Sequence, residues 1–306
     1  MTGSSDFPVK SLRGRLTANA PLGPRAWFRV GGPADWMFIP EDQDDLARFL
    51  REKPANMPVT VLGACSNVII RDGGIAGTVI RLARGFADID VQGSSLIVGA
   101  AALDVTVAEH AAAAALAGLE FLAGIPGSIG GAVRMNAGAY GSDLDAILEW
   151  AEILTEKGDL RRLSHDELGF AYRHSELPEG SVVIRACLRG TPDEADAIRS
   201  RIADIRASRE ASQPVRARTG GSTFRNPEGY KAWQLIDEAG CRGLQIGDAQ
   251  VSEKHCNFLL NLGQASSADL ETLGESVRER VLARSGVSLH WEIKRIGRQS
   301  EGDQTS

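Results

Sequence analysis

Gly124-Ile125-Pro126-Gly127-Ser128-Ile129-Gly130-Gly131-Ala132, continuing to Met135-Asn136-Ala137-Gly138-Ala139-Tyr140-Gly141, is the stretch on which the fold of this chain turns. Its 18 residues hold six glycines and almost no charge. Backbone without side chains can approach a bulky charged ligand, and successive N–H groups can wrap a pyrophosphate. The segment is not a P-loop, because no Gly-Lys-Ser/Thr follows. Nor is it a Rossmann fingerprint: the glycine spacing is wrong and no strand leads directly into it. A compact glycine loop that binds nothing has the same composition, so the phosphate reading needs support from elsewhere in the chain.

Four shorter signals flank it. Upstream, Val61-Leu62-Gly63-Ala64-Cys65-Ser66-Asn67 reads as a buried strand running into small residues that form an anion nest. Downstream, Gly220-Gly221-Ser222-Thr223-Phe224-Arg225-Asn226-Pro227 presents a sterically open serine, with Arg225 and Asn226 as donors suited to phosphate or uracil. No Gly-x-Ser-x-Gly elbow is present, so a hydrolase nucleophile is not indicated. Arg173 in Tyr172-Arg173-His174-Ser175 has the fork geometry to clamp a carboxylate. Glu292 alternates with Trp291 and Ile293 on a predicted strand. Each of these has an ordinary alternative, such as a ligand-free turn, a surface arginine or a solvent-facing glutamate.

The elements around them alternate. Helices are predicted at 41–51, with acidic residues in its first turn, and at 103–117, with Asp104 as a cap. Strands are predicted at 59–62, 78–82, 96–98 and 182–188, and a hairpin at 151–163 turning at Lys157-Gly158-Asp159. Ser164-x-x-Glu167 is a capping box. Thr191-Pro192-Asp193-Glu194 carries a Thr cap with Pro at the first helical position and predicts a helix to about 209, with a domain boundary near Gly190. Further helices are predicted at 231–239 and 268–284, stopped by Gly240 and Gly286, and strands near 250–260 and 289–296. This is an α+β plan with a distinct C-terminal domain.

Composition narrows the function classes. A length of 306 residues with 43% hydrophobic and 24% charged residues is globular usage, with room for two or three domains. The net charge of −6 argues against a nucleic-acid partner. The apolar run at 111–117 is too short for a membrane span. Residues 1–7 lack the build of a signal peptide, so the cytoplasm is the expected location. Cys65, Cys187, Cys241 and Cys256 show no metal spacing and are expected to be thiols in a reducing compartment.

In order, Phe28-Arg29-Val30-Gly31-Gly32-Pro33-Ala34, the turn at 63–67, the loop at 124–141, Tyr172-Arg173, the segment 221–227, Ile246-Gly247-Asp248-Ala249-Gln250-Val251-Ser252-Glu253-Lys254-His255 and Glu292 resemble one family over about 22–297. It is the UDP-N-acetylenolpyruvoylglucosamine reductase family (UDP-N-acetylmuramate dehydrogenase). The short span after Tyr172-Arg173 and the Ser-Glu-Lys-His segment look like its type II subgroup, which lacks an extra tyrosine-bearing loop. The resemblance implies a two-subdomain FAD-binding unit of the vanillyl-alcohol-oxidase (PCMH) type plus a C-terminal α+β substrate-binding domain. On this sequence those become a tail and lead-in at 1–20, the FAD-binding domain at 21–190 with a split near 80, the substrate domain at 191–297, and a flexible tail at 298–306.

The same resemblance implies FAD held non-covalently, NADPH as electron donor, and UDP-N-acetylglucosamine enolpyruvate as the substrate reduced. Cofactor contacts are expected from Gly63, Ala64, Cys65, Ser66, Asn67, Gly127, Ser128, Gly130, Gly131, Asn136 and Gly138. Ser222 would give the proton, Arg173 and Glu292 would hold the carboxylate end, and Arg225, Asn226, Tyr230, Lys254 and His255 would meet the UDP moiety. Ala64-Cys65 depart from the glycines common there, but both are small. Two rivals remain: another flavoprotein oxidase or dehydrogenase of the same superfamily, and a non-catalytic nucleotide-sugar sensor.

Overall fold

The computed structural model describes residues 7–300. The chain divides into two compact units that interleave along the sequence. The first takes the chain up to Ala18, then Trp36–Ala64 and Gly77–Ser208; the second takes Asn19–Asp35, Cys65–Ala76 and the chain from Arg209 onward.

The first unit is built on an antiparallel sheet of five strands in the order Leu160–Ser164, Leu148–Leu154, Val182–Arg189, Ser95–Gly99, Ile89–Gln92. Its central strand reads Val-Val-Ile-Arg-Ala-Cys-Leu-Arg, with only the two arginines exposed, so the strand is covered on both faces. The helices Asp104–Ala113 and Ile129–Met135 bury Val107, Ile129 and Val133 in the same core as Leu96, Val98, Ala151 and Leu188. A second apolar cluster gathers Phe7, Val9, Phe38, Leu46, Phe49, Ile80 and Ile184. The helix Gln43–Glu52 feeds it from one face and is capped by Asp42, whose carboxylate accepts from Asp45 N at 3.0 Å.

In the second unit a three-stranded antiparallel sheet, Gln245–Ile246, Ala249–Val251 and Leu259–Asn261, packs with the helices Ala232–Glu238 and Ser267–Ser285. Strand Lys294–Ile296 runs parallel to Val68–Ile70. The long helix opens with a reciprocal Ser266/Asp269 capping box and closes at Gly286 in the left-handed region. Phe28 and Ile69, from early in the chain, are fully buried in this late-sequence core beside Phe224, Leu259 and Ile293.

Several expectations are corrected. Thr191-Pro192 does not begin a helix; it pairs antiparallel with Leu116–Ala117, and the helix runs over Ala195–Ser212. The preceding helix therefore ends at Ala113 rather than 117, the chain reversing at Ala115 with φ +56°. Asp104 is not its cap: it is the first helical residue after Leu103 and is fully buried. The late strand shrinks to Lys294–Ile296. Phe7 and Val9 are core residues, so the start of the described chain is no frayed tail. Arg298 is likewise anchored, its N donating to Gly74 O at 2.8 Å and its guanidinium to Asp35 at 2.7 Å. The two compact units part between Ser208 and Arg209, and residues 65–76 belong to the second unit. The tail expectations at 1–6 and 301–306 fall outside the described residues.

Candidate functional site

In the first unit a cavity of about 420 Å³ opens among Gly63, Ala64, Ala100, Ala101, Leu103, Ser128, Gly130 and Gly131, with Arg81, Arg134 and Glu179 as its charged members. The glycine loop is fixed there by its own backbone. Ile129 N donates to Ala102 O at 3.0 Å and Gly130 N to Ala100 O at 2.8 Å, while Ser128 forms a bridge with Leu103. The upstream turn is packed against it: a Cβ on Gly63 would stand 2.6 Å from Ser128 Oγ. Gly131 differs, since a Cβ there would meet no protein atom within 4 Å.

Of the residues expected to hold the cofactor, Gly63, Ala64, Ser128, Gly130 and Gly131 therefore share one cavity. The others have different neighbours. Gly127 faces Asp104, with a Cβ placed 2.5 Å from Oδ2. Both Asp104 oxygens are buried without a hydrogen-bond partner, and burial pushes that carboxyl well above the usual range, with the nearby Gly127 amide opposing the shift. Asn136 braces the end of its helix. It closes the helix in the left-handed region with φ +41°, accepts from Asp145 N at 2.9 Å and donates to Ala171 O at 3.2 Å. Gly138 lies in a tight hairpin, and its carbonyl accepts from Arg173 Nη2 at 3.0 Å. Arg173 has φ +57°, an unfavourable conformation for a residue with a Cβ.

Cys65, Ser66 and Asn67 belong to the second unit. Cys65 also has a positive φ of 55°, and its carbonyl accepts from Trp27 N at 3.2 Å. Asn67 reaches Glu292: its Nδ2 donates to Glu292 O at 3.4 Å, and its own carbonyl accepts from Lys294 N at 3.0 Å. Glu292 N in turn donates to Thr223 O at 2.8 Å, next to Ser222. The second unit thus gathers Asn67, Ser222 and Glu292, the latter two half-buried. Arg173 is a residue of the first unit.

The residues expected to meet UDP are more scattered in role. Asn226 Oδ1 accepts from Ala232 N at 3.0 Å, holding the first turn of Ala232–Glu238. Arg225 Nε is buried with no partner, and Tyr230 is exposed. Lys254 Nζ donates to Glu210 O at 2.5 Å. His255 is packed edge-on to Phe258 with ring centroids 4.8 Å apart, accepts from Asn257 N at 3.3 Å, and is kept below the usual imidazole range by burial, with Arg242 adding to that. Sequence reasoning missed Arg81, which follows strand Ile75–Ile80, and Arg134, on the short helix within the glycine segment. It also missed Asn257, whose signal is a polar residue flanked by Cys256 and Phe258 in a buried run.

Residues 34–164 match the family described as FAD binding domain, and residues 213–296 match UDP-N-acetylenolpyruvoylglucosamine reductase, C-terminal domain. A protein of Gluconobacter oxydans named UDP-N-acetylenolpyruvoylglucosamine reductase is 91% identical over all of both chains. One of the same name from Acidiphilium cryptum is 64% identical over 96% of this chain and 95% of its own. The crystal structure of UDP-N-acetylenolpyruvylglucosamine reductase from Thermus caldophilus superposes with a TM-score of 0.82 at 36% identity, over 94% of this chain and 100% of that one. The α+β plan, an FAD-binding domain followed by a C-terminal domain, is common to them, and this chain belongs to the UDP-N-acetylenolpyruvoylglucosamine reductase family.

Proposed function

We propose that the chain reduces UDP-N-acetylglucosamine enolpyruvate to UDP-N-acetylmuramate with NADPH as electron donor and FAD as cofactor. This is a cytoplasmic step in making peptidoglycan precursors, and so serves wall growth and cell division. The observation that carries the reading is the cavity whose glycine wall lies inside the region matching an FAD-binding domain. The residues present fit that group: Gly131 presents an open face to a large ligand, and Arg81 and Arg134 complement a pyrophosphate. When bound, FAD supplies a two-electron carrier between nicotinamide and substrate.

The chain's own residues handle the substrate's charge and its proton. Arg173 clamps the carboxylate, and its strained backbone supports a placement set by function rather than by local preference. Glu292 acts at that same end, where charge develops during reduction. Ser222 delivers the proton to the carbon beside the carboxylate. Its support is its half-buried seat one residue from Thr223, the residue to which Glu292 is hydrogen-bonded. Gly63, Ala64, Ser128, Gly130 and Gly131 contact FAD; Arg225, Asn226, Tyr230 and Lys254 serve the UDP end.

The test is anaerobic and uses the yellow holoprotein. NADPH should bleach the flavin absorbance, and UDP-N-acetylglucosamine enolpyruvate should restore it with one equivalent of product. A protein that takes up no FAD, or a reduced protein that the UDP-sugar leaves bleached, refutes the proposal.

A further inference from the structure

Ser222 and Thr223 lie outside any continuous strand, yet the backbone that follows Ser222 is held on both sides. On one side it meets the segment that carries Glu292: Glu292 N donates to Thr223 O at 2.8 Å, Arg225 N donates to His290 O at 2.9 Å, and Phe224 bridges Trp291. On the other side the partner is largely one side chain. Thr223 N donates to the backbone carbonyl of Asn257 at 2.8 Å. Phe224 N donates to Asn257 Oδ1 at 2.9 Å, and Asn257 Nδ2 donates to Phe224 O at 2.8 Å. The carboxamide thus stands in for the peptide unit of a neighbouring strand. Ser222 itself bridges Phe258, the next residue.

Asn257 is 4% exposed, and the Thr223 hydroxyl is buried without a partner, so little else fixes this stretch from that side. The two hydrogen bonds to Phe224 define the amide orientation, because one partner can only donate and the other only accept. No other residue of this length offers a flat acceptor and donor side by side: Asp lacks the donor, and Leu lacks both. The Asn257 backbone is itself fixed through the 3.3 Å bond to His255 Nδ1.

We infer that Asn257 is a positioning residue for the proposed proton donor. Its carboxamide sets the register of Thr223–Phe224, and hence the aim of Ser222 relative to Glu292, when the reduced substrate takes up its proton. The inference rests on the reduction proposed above and adds to it a residue that touches neither substrate nor cofactor. A misplacement of about 1 Å in such a group costs on the order of 100-fold in rate.

The experiment measures both half-reactions anaerobically in the FAD-loaded wild type, in Asn257→Asp, and in Asn257→Ser as a neutral second variant should a buried charge prevent folding. Flavin reduction by NADPH should stay within about twofold of wild type, while reoxidation by UDP-N-acetylglucosamine enolpyruvate falls roughly 10- to 100-fold. In a Ser222→Ala background the same Asn257 substitutions should cost less than about threefold more, because they act through the group already removed. Full additivity with Ser222→Ala, unaltered reoxidation, or equal loss of both half-reactions in both variants overturns the inference. Failure of the wild type to be reoxidised by the UDP-sugar overturns the functional reading as well, and is recognised because it needs no variant.

Discussion

The glycine loop of the first unit and the glycine-serine segment of the second unit share a composition and are built for opposite ends. In the first, backbone is held by backbone, Gly130 on Ala100 and Ile129 on Ala102, and Gly131 faces open space. In the other, one side is held by backbone at 290–292 and the other largely by a side chain, Asn257, and the space over Gly220 is filled: a Cβ there would fall 2.3 Å from the Phe28 ring. Gly131 leaves room that no protein atom fills. Gly220 keeps room for the protein's own core.

That contrast can be broken at four points, from the largest expected effect to the smallest. Ser222→Ala should slow reoxidation by the UDP-sugar about 10²–10⁴-fold, the range of a lost general acid, while stopped-flow reduction by NADPH is nearly unchanged; equal loss in both steps would remove Ser222 from its role. Gly220→Ala should destabilise the fold by about 1–3 kcal/mol in denaturant titration, because the buried Phe28 ring has nowhere to go. Gly131→Leu should do the reverse. The apoprotein keeps its stability, as the site is open and leucine favours a helix. Its FAD dissociation constant, followed by flavin fluorescence, should rise by at least about tenfold, or roughly 1.4 kcal/mol. Unchanged affinity would mean that the open face does not meet the cofactor.

The smallest effect concerns pH. Burial raises the Asp104 carboxyl in the folded state. The unfolded chain releases that proton near pH 3.9, so the acid's contribution to stability is complete below about pH 4 and declines as pH rises toward the folded value. Asp104→Asn should therefore melt higher than wild type at neutral pH, by roughly 2–4 °C for each kcal/mol recovered, and the difference should vanish near pH 4. A gain that is constant with pH would show that ionisation is not its source.

Much of the fold was legible because its signals are local. The acidic start of Gln43–Glu52, the Lys157-Gly158-Asp159 turn and the Gly286 stop each act within one turn of chain. Thr191-Pro192 misled for the opposite reason: its helix-start signature is local, but its actual partners, Leu116 and Ala117, lie some 75 residues earlier. The glycine density at 124–141 pointed to a cavity wall without showing which of its residues line the cavity. Gly127, Asn136 and Gly138 turned out to face Asp104, Asp145 and Arg173. In the second unit, Ser222 and Glu292 carried no chemistry that residue type alone could announce, and only the ordered resemblance linked them.

The interleaving of the units has a consequence for synthesis. Asn261 Nδ2 donates to Phe28 O at 2.8 Å across 233 positions, and Val68–Ile70 takes its parallel partner from Lys294–Ile296. On the ribosome these early segments wait with apolar side chains unsheltered until residues 259–296 are made, a long-range closure that slows folding and invites aggregation. A gene fragment cut at the family boundary, 213–296, lacks Phe28, Val30 and Ile69 from its own core and should not fold as an autonomous piece.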